Sequence, residues 1–69
     1  MNRILIFDTT HHAMWAEEVA RANNIAADVV PAPEGTDAKC GLALEVVPEG
    51  LEDLLKALQV EGVPYQVFR

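Results

Sequence analysis

Along the chain, short apolar runs alternate with longer segments in which apolar residues return every three or four positions. Residues 3–8, RILIFD, are too short for a helix and rich in β-branched and aromatic side chains, which predicts a strand. Ile4 and Ile6 fall on one pleat face, Leu5 and Phe7 on the other. A strand apolar on both faces is central and covered twice, or covered once and met by a partner on the other side. Residues 8–24, DTTHHAMWAEEVARANN, place Ala13, Ala16, Val19, Ala20 and Asn23 at helical spacing. Thr9 or Thr10 supplies the N-cap, Arg21 follows Glu17 by four residues, and Asn23-Asn24 suits a left-handed helix end.

A second strand is predicted at 25–31, IAADVVP, stopped by Pro31 and Pro33, and residues 32–39 read as a loop. In 40–47, CGLALEVV, the alternation is strict: Leu42, Leu44 and Val46 on one face, Gly41, Ala43, Glu45 and Val47 on the other. The larger set is expected to face the helices. Residues 48–62 give the clearest helical pattern, with Pro48 in the first turn and Glu49, Glu52 and Asp53 near the positive dipole end. Leu51, Leu54, Leu55 and Leu58 follow one helix face, and Gly62 then Pro64 end it. Residues 65–68, YQVF, form a last strand.

The order βαββαβ predicts the α+β class and a ferredoxin-like sandwich. It has a four-stranded antiparallel sheet in order 4-1-3-2 with both helices on one face, residues 1–69 forming a single domain. At 69 residues a domain buries only about 60% of its unfolded surface. The 51% hydrophobic content supplies a core within that limit. No apolar run reaches the roughly 18 residues of a membrane span, and the apolar run after Arg3 is too short for a signal-peptide core.

Charge narrows the partners. The net charge is −6, and Arg3, Arg21, Lys39, Lys56 and Arg69 are scattered. Nucleic acid and anionic membrane are therefore excluded as expected partners, because neutralising phosphate dominates such binding. One cysteine cannot close an internal disulfide, which fits a reducing compartment and a cytoplasmic location.

The predicted topology gathers chemistry at one sheet end. Strand 1 finishes where strand 3 starts and where the first helix begins. Thr9, Thr10, His11, His12, Pro31, Pro33, Cys40 and Gly41 are thereby expected in one patch. An ordinary thiol has a pKa of about 8.5. A helix N-terminus and a nearby protonated histidine lower it and enlarge the thiolate fraction. Asp8 acts in the opposite sense. Gly41 leaves the backbone beside the sulfur bare, or else relieves crowding against a neighbouring strand. The plainer alternatives are an inert buried thiol, threonines serving only as caps, first-turn histidines facing water, and Met14 and Trp15 as core or partner contacts.

The same residues carry a family resemblance. ILIFDTTHHAMWAEEV, VVPAPEG, CGLALEV and LEDLLKAL together resemble the putative Se/S carrier protein-like family of small bacterial proteins, over almost the whole chain. The matching positions are Thr10, His11, Ala13, Ala16, Pro31, Pro33, Cys40 and Gly41. Departures are Ala32, where a threonine-like residue is expected, and Trp15, where a charged one is expected. The resemblance implies that Cys40 carries sulfur or selenium as a persulfide or selenopersulfide. It implies donor and acceptor proteins as partners, no cofactor, and a carrier rather than an enzyme.

Two other functions compete. His11, His12 and Cys40 offer soft ligands for zinc or copper. Adjacent histidines converge poorly, however, and no Cys-x-x-Cys is present, so no metal site is expected. A non-enzymatic interaction or ligand-sensing domain fits a fold that serves many such roles. It would form a homodimer through the open sheet face. RNA binding on that sheet is disfavoured, since strand 3 has no aromatic residue for base stacking.

Overall fold

The computed structural model describes residues 2–35 and 41–68. Cys40, Thr36 to Lys39 and Arg69 lie outside them, so the expectation for Cys40 falls beyond the described residues. The elements run β1 (Arg3–Ile6), α1 (Thr10–Ala22), β2 (Ala27–Pro31), β3 (Leu42–Val46), α2 (Pro48–Glu61) and β4 (Gln66–Phe68).

All strand pairings are antiparallel, and the sheet order is β2-β3-β1-β4, the predicted 4-1-3-2 order seen from the other edge. Leu5 stands opposite Leu44 and Val67, and Leu44 opposite Val29. These side chains belong to one core with Ala13, Ala16, Val19 and Ala20 of α1 and Leu54 and Leu58 of α2. Both helices therefore cover the same sheet face, as in the ferredoxin-like sandwich. Leu5, Leu44, Leu54, Leu58 and Val46 are wholly buried, each contributing about 1.5–3 kcal/mol of transfer free energy. The small Ala13, Ala16 and Ala20 let α1 approach the sheet closely.

Local chemistry sets the ends of the elements. Thr9 is extended and its Oγ1 accepts from the His12 backbone N–H at 3.0 Å, so Thr9 is the N-cap and Thr10 opens the helix. Asn23 closes α1, and Asn24 takes the left-handed φ of 58°. Asn23 is exposed, not on the buried stripe where its spacing placed it. Its Nδ2 instead donates to the Val19 carbonyl at 2.8 Å, a second donor to a carbonyl that also accepts the Asn23 backbone N–H at 3.2 Å. Arg21 pairs with Glu17 as expected and, more closely, with Glu18. The second helix has Pro48 in its first turn, and Gly62 at φ 81° ends it.

The strands are shorter than the apolar runs. The β1 ladder ends at Ile6, although Phe7 remains buried in the core. Ile25 and Ala26 precede β2, with Ile25 packed against the core. Gly41 is a bend before β3. A run of apolar residues records burial, which extends past the last ladder hydrogen bond wherever a connection tucks a side chain under the sheet.

Candidate functional site

The predicted site lies at one end of the sheet, and the register fixes which segments meet there. Ile6 pairs with Ala43, Ala43 with Val30, and Ile6 with Gln66. The exits of β1 and β2 and the entries of β3 and β4 thus lie at the same end. Pro31 pairs with Leu42, and the Ala32 N–H donates to the Gly41 carbonyl at 2.9 Å, prolonging the β2–β3 pairing by one step. Pro31, Ala32 and Gly41 are together. The start of α1 follows Ile6 by four residues, so Thr9 and Thr10 share that end, as expected.

Gly41 has φ 73°, a conformation that favours glycine. Among the described residues, a Cβ built on it meets nothing within 4 Å. The backbone conformation therefore calls for glycine here, and no crowding by the described residues does.

Thr9, Thr10 and His11 are exposed, and His12 is half-buried. The His12 and Ala13 backbone N–H groups are held by the Thr9 hydroxyl and carbonyl, at 3.0 and 3.2 Å. The N–H groups of Thr10 and His11 precede the first intrahelical bond and form the outward donors of the helix start. Helix α2 ends at the same sheet end, since β4 enters there. Its carbonyl end opposes part of the positive potential of α1. Asp8, exposed in the link before Thr9, also opposes it.

The histidines do not stand alone. The rings of His11 and His12 lie 6.0 Å apart, and Trp15 lies 6.0 Å from His11 and 6.5 Å from His12, centroid to centroid. All three pairs are tilted. Trp15 is half-buried and packs against the core, anchoring the cluster. The sequence reading left Trp15 outside the site. Its spacing of four from His11 and three from His12 was the available signal. Among the described residues, the Nδ1 of His12 is buried and has no hydrogen-bond partner. No group of three or more His, Cys, Asp or Glu able to hold a metal occurs among the described residues.

Pro33 is half-buried on the loop beyond Ala32. Tyr65, preceding β4, is half-buried at this end and accepts a hydrogen bond from Gln59 Nε2 at 2.9 Å. A shallow cavity of ≈ 220 Å³ lies elsewhere, between the C-terminal half of α1 and the start of β2. It is lined by Glu17, Arg21, Ile25, Ala26, Ala27 and Asp28, and holds none of the predicted site residues.

Residues 2–68 match the family model described as putative Se/S carrier protein-like. No curated protein matches the chain. No solved structure matches it. Among the described residues, no helix is long and apolar enough to cross a membrane.

Proposed function

This chain belongs to the putative Se/S carrier protein-like family, and on that membership we propose that it carries sulfur or selenium as a persulfide or selenopersulfide on Cys40. The match over residues 2–68 is the observation that carries this reading. The surroundings support it. Cys40 is bonded to Gly41, whose carbonyl is tied to Ala32 at the sheet end where α1 begins. A terminal sulfur carrying negative charge is favoured near helix N–H donors. His11 and Thr10 bring further polar hydrogen to that end, Thr9 fixes the helix start, and Pro31 and Pro33 stiffen the loop that leads back toward Cys40. The chain has no second thiol to discharge the load internally.

Loading is a thiol–persulfide exchange. The Cys40 thiolate attacks the outer sulfur of a donor persulfide, R–S–SH. The Cys40 Sγ–S bond forms, the donor S–S bond breaks, and the donor leaves as the thiolate R–S⁻. Cys40 becomes Cys40–S–SH, and no external oxidant or reductant enters. Unloading is the same exchange with Cys40 as the leaving group: an acceptor thiolate attacks the outer sulfur, the Cys40 Sγ–S bond breaks and Cys40 leaves as the thiolate. The selenium version replaces the outer sulfur by selenium. The chain acts as a carrier between donor and acceptor proteins in the reducing cytoplasm and needs no cofactor.

The test is mass spectrometry after incubation with a cysteine desulfurase and L-cysteine. Wild type gains one sulfur, which a mild reductant removes, and Cys40→Ser gains none. Equal gain by Cys40→Ser overturns the assignment.

A second reading, an interaction or ligand-sensing domain without thiol chemistry, is favoured by the apolar side chains on the sheet face opposite the helices. The form expected from the sequence is a homodimer through that face, which the acidic pair Asp28 and Glu45 on it opposes. Light scattering at high concentration tests the dimer, and a monomer rejects it.

A further inference from the structure

We propose that the sheet face not covered by the helices docks a partner protein whose contact surface sets lysine or arginine beside a cluster of aliphatic side chains. Alternate residues of each strand point away from the core, and the register arranges them in two rows. One row reads Asp28, Glu45, Ile4, Phe68, and the other reads Val30, Ala43, Ile6, Gln66. Ile6 and Ala43 are buried and offer no contact surface, while Ile4, Val30 and Phe68 keep part of theirs open. The face is thus apolar toward β1 and acidic at its β2–β3 corner.

That corner decides the occupant. Asp28 and Glu45 stand directly opposite each other on neighbouring strands, an arrangement in which like charges destabilise the sheet. Among the described residues, neither carboxylate forms an ion pair or side-chain hydrogen bond. A cation brought between them relieves the repulsion, and aliphatic groups beside that cation cover Ile4, Val30 and Phe68.

A second copy of this chain supplies the wrong complement. The eight face residues include no basic side chain. Turned about an axis along the strands, the second copy lays Phe68 and Ile4 over the two carboxylates. Turned about an axis across them, it lays Val30 and Ala43 there. Either way the carboxylates lose water and gain no cation, and the net charge of −6 on each copy adds repulsion. The acidic corner excludes nucleic acid for the same reason.

The probe is a synthetic peptide of alternating valine and lysine, titrated into the isotopically labelled full chain and followed by backbone amide NMR. A valine–glutamate peptide is the counterpart. The lysine peptide shifts amides clustered at Ile4, Ile6, Val30, Glu45 and Phe68. Its Kd rises about fivefold in Asp28→Asn/Glu45→Gln, the loss of two partly exposed ion pairs. In Glu52→Gln/Asp53→Asn, which removes the same charge from exposed positions on α2, it changes less than about twofold. Absent binding, shifts scattered over the surface, equal binding of the glutamate peptide, or equal weakening by both variants overturns the proposal. So does a dimer in sedimentation that protects these amides. The proposal stands on the face alone, so failure of sulfur loading at Cys40 leaves it unaffected.

Discussion

Replacing Gly41 by alanine and by asparagine separates two roles for the residue beside Cys40. The φ of 73° places Gly41 in the left-handed region, where an L-residue costs about 1–2 kcal/mol. Among the described residues an added Cβ meets nothing within 4 Å, so packing against them contributes no further cost. Gly41→Ala is therefore expected to destabilise by about 1–2 kcal/mol, the backbone term alone. Each kcal/mol lowers the midpoint of a domain of this size by about 4–8 °C. Asparagine tolerates the left-handed region, so Gly41→Asn loses about half as much. Thermal and urea unfolding followed by far-UV circular dichroism measure both. An alanine variant as stable as wild type, or an asparagine variant no better than alanine, refutes the conformational account. The pair also tests function. The side of Gly41 that the described residues leave clear is where a protein donor would approach Cys40. Gly41→Asn should then accept sulfur from a small persulfide at the wild-type rate but more slowly from a protein donor. Equal rates from both donors would show that the open side of Gly41 has no part in transfer.

Three further substitutions probe the supports of the site. Thr9→Ala removes the side-chain acceptor of the His12 N–H and should cost about 1 kcal/mol, with Thr9→Ser recovering most of it in the same melts. Gly50→Ala gains helix propensity, yet its Cβ would sit 2.6 Å from Ile25 Cγ2, and overpacking of about 1–3 kcal/mol wins. In an Ile25→Ala background that clash is gone, and the same change should become stabilising by up to about 1 kcal/mol. A double-mutant cycle that is additive sinks this account. His12→Phe removes a buried ring nitrogen that has no partner among the described residues and keeps a flat ring beside Trp15. Its melting temperature should hold or rise, because an unsatisfied polar atom is costly, and a fall of several degrees would show that Nδ1 is satisfied.

The sheet order, both helices and the buried stripe of α1 at Ala13, Ala16, Val19 and Ala20 were legible because periodicity reports burial. The split of β3 into Leu42, Leu44 and Val46 against Ala43 and Glu45 was legible for the same reason, since the pleat has a period of two. The patch was legible as topology: once β1 and β3 are antiparallel neighbours, Gly41 and Thr9 must share a sheet end. The role of Gly41 was not, because sequence offers glycine for crowding and for positive φ alike, and only the backbone angle separates them. The aromatic cluster was missed because His11, His12 and Trp15 each had an ordinary reading. Their meeting depends on Trp15 being anchored against the core.

The acidic corner follows a different logic. Asp28 and Glu45 are seventeen residues apart in sequence, and neither is unusual alone. Only the register sets them side by side on the face that no helix covers. Helix dipoles act likewise. The start of α1 favours a negative sulfur, but β4 brings the carbonyl end of α2 to the same sheet end, and Asp8 stands in the link between β1 and α1. The field at the candidate site is a difference between opposed contributions, so the weak one to remove is the exposed charge. Asp8→Asn should therefore speed alkylation of Cys40 by a neutral reagent at fixed pH, more than Asp28→Asn at the far end of the sheet does. Equal rates in the two variants would mean that the thiol senses net charge alone, and the case for an activated carrier thiol would lose its electrostatic support.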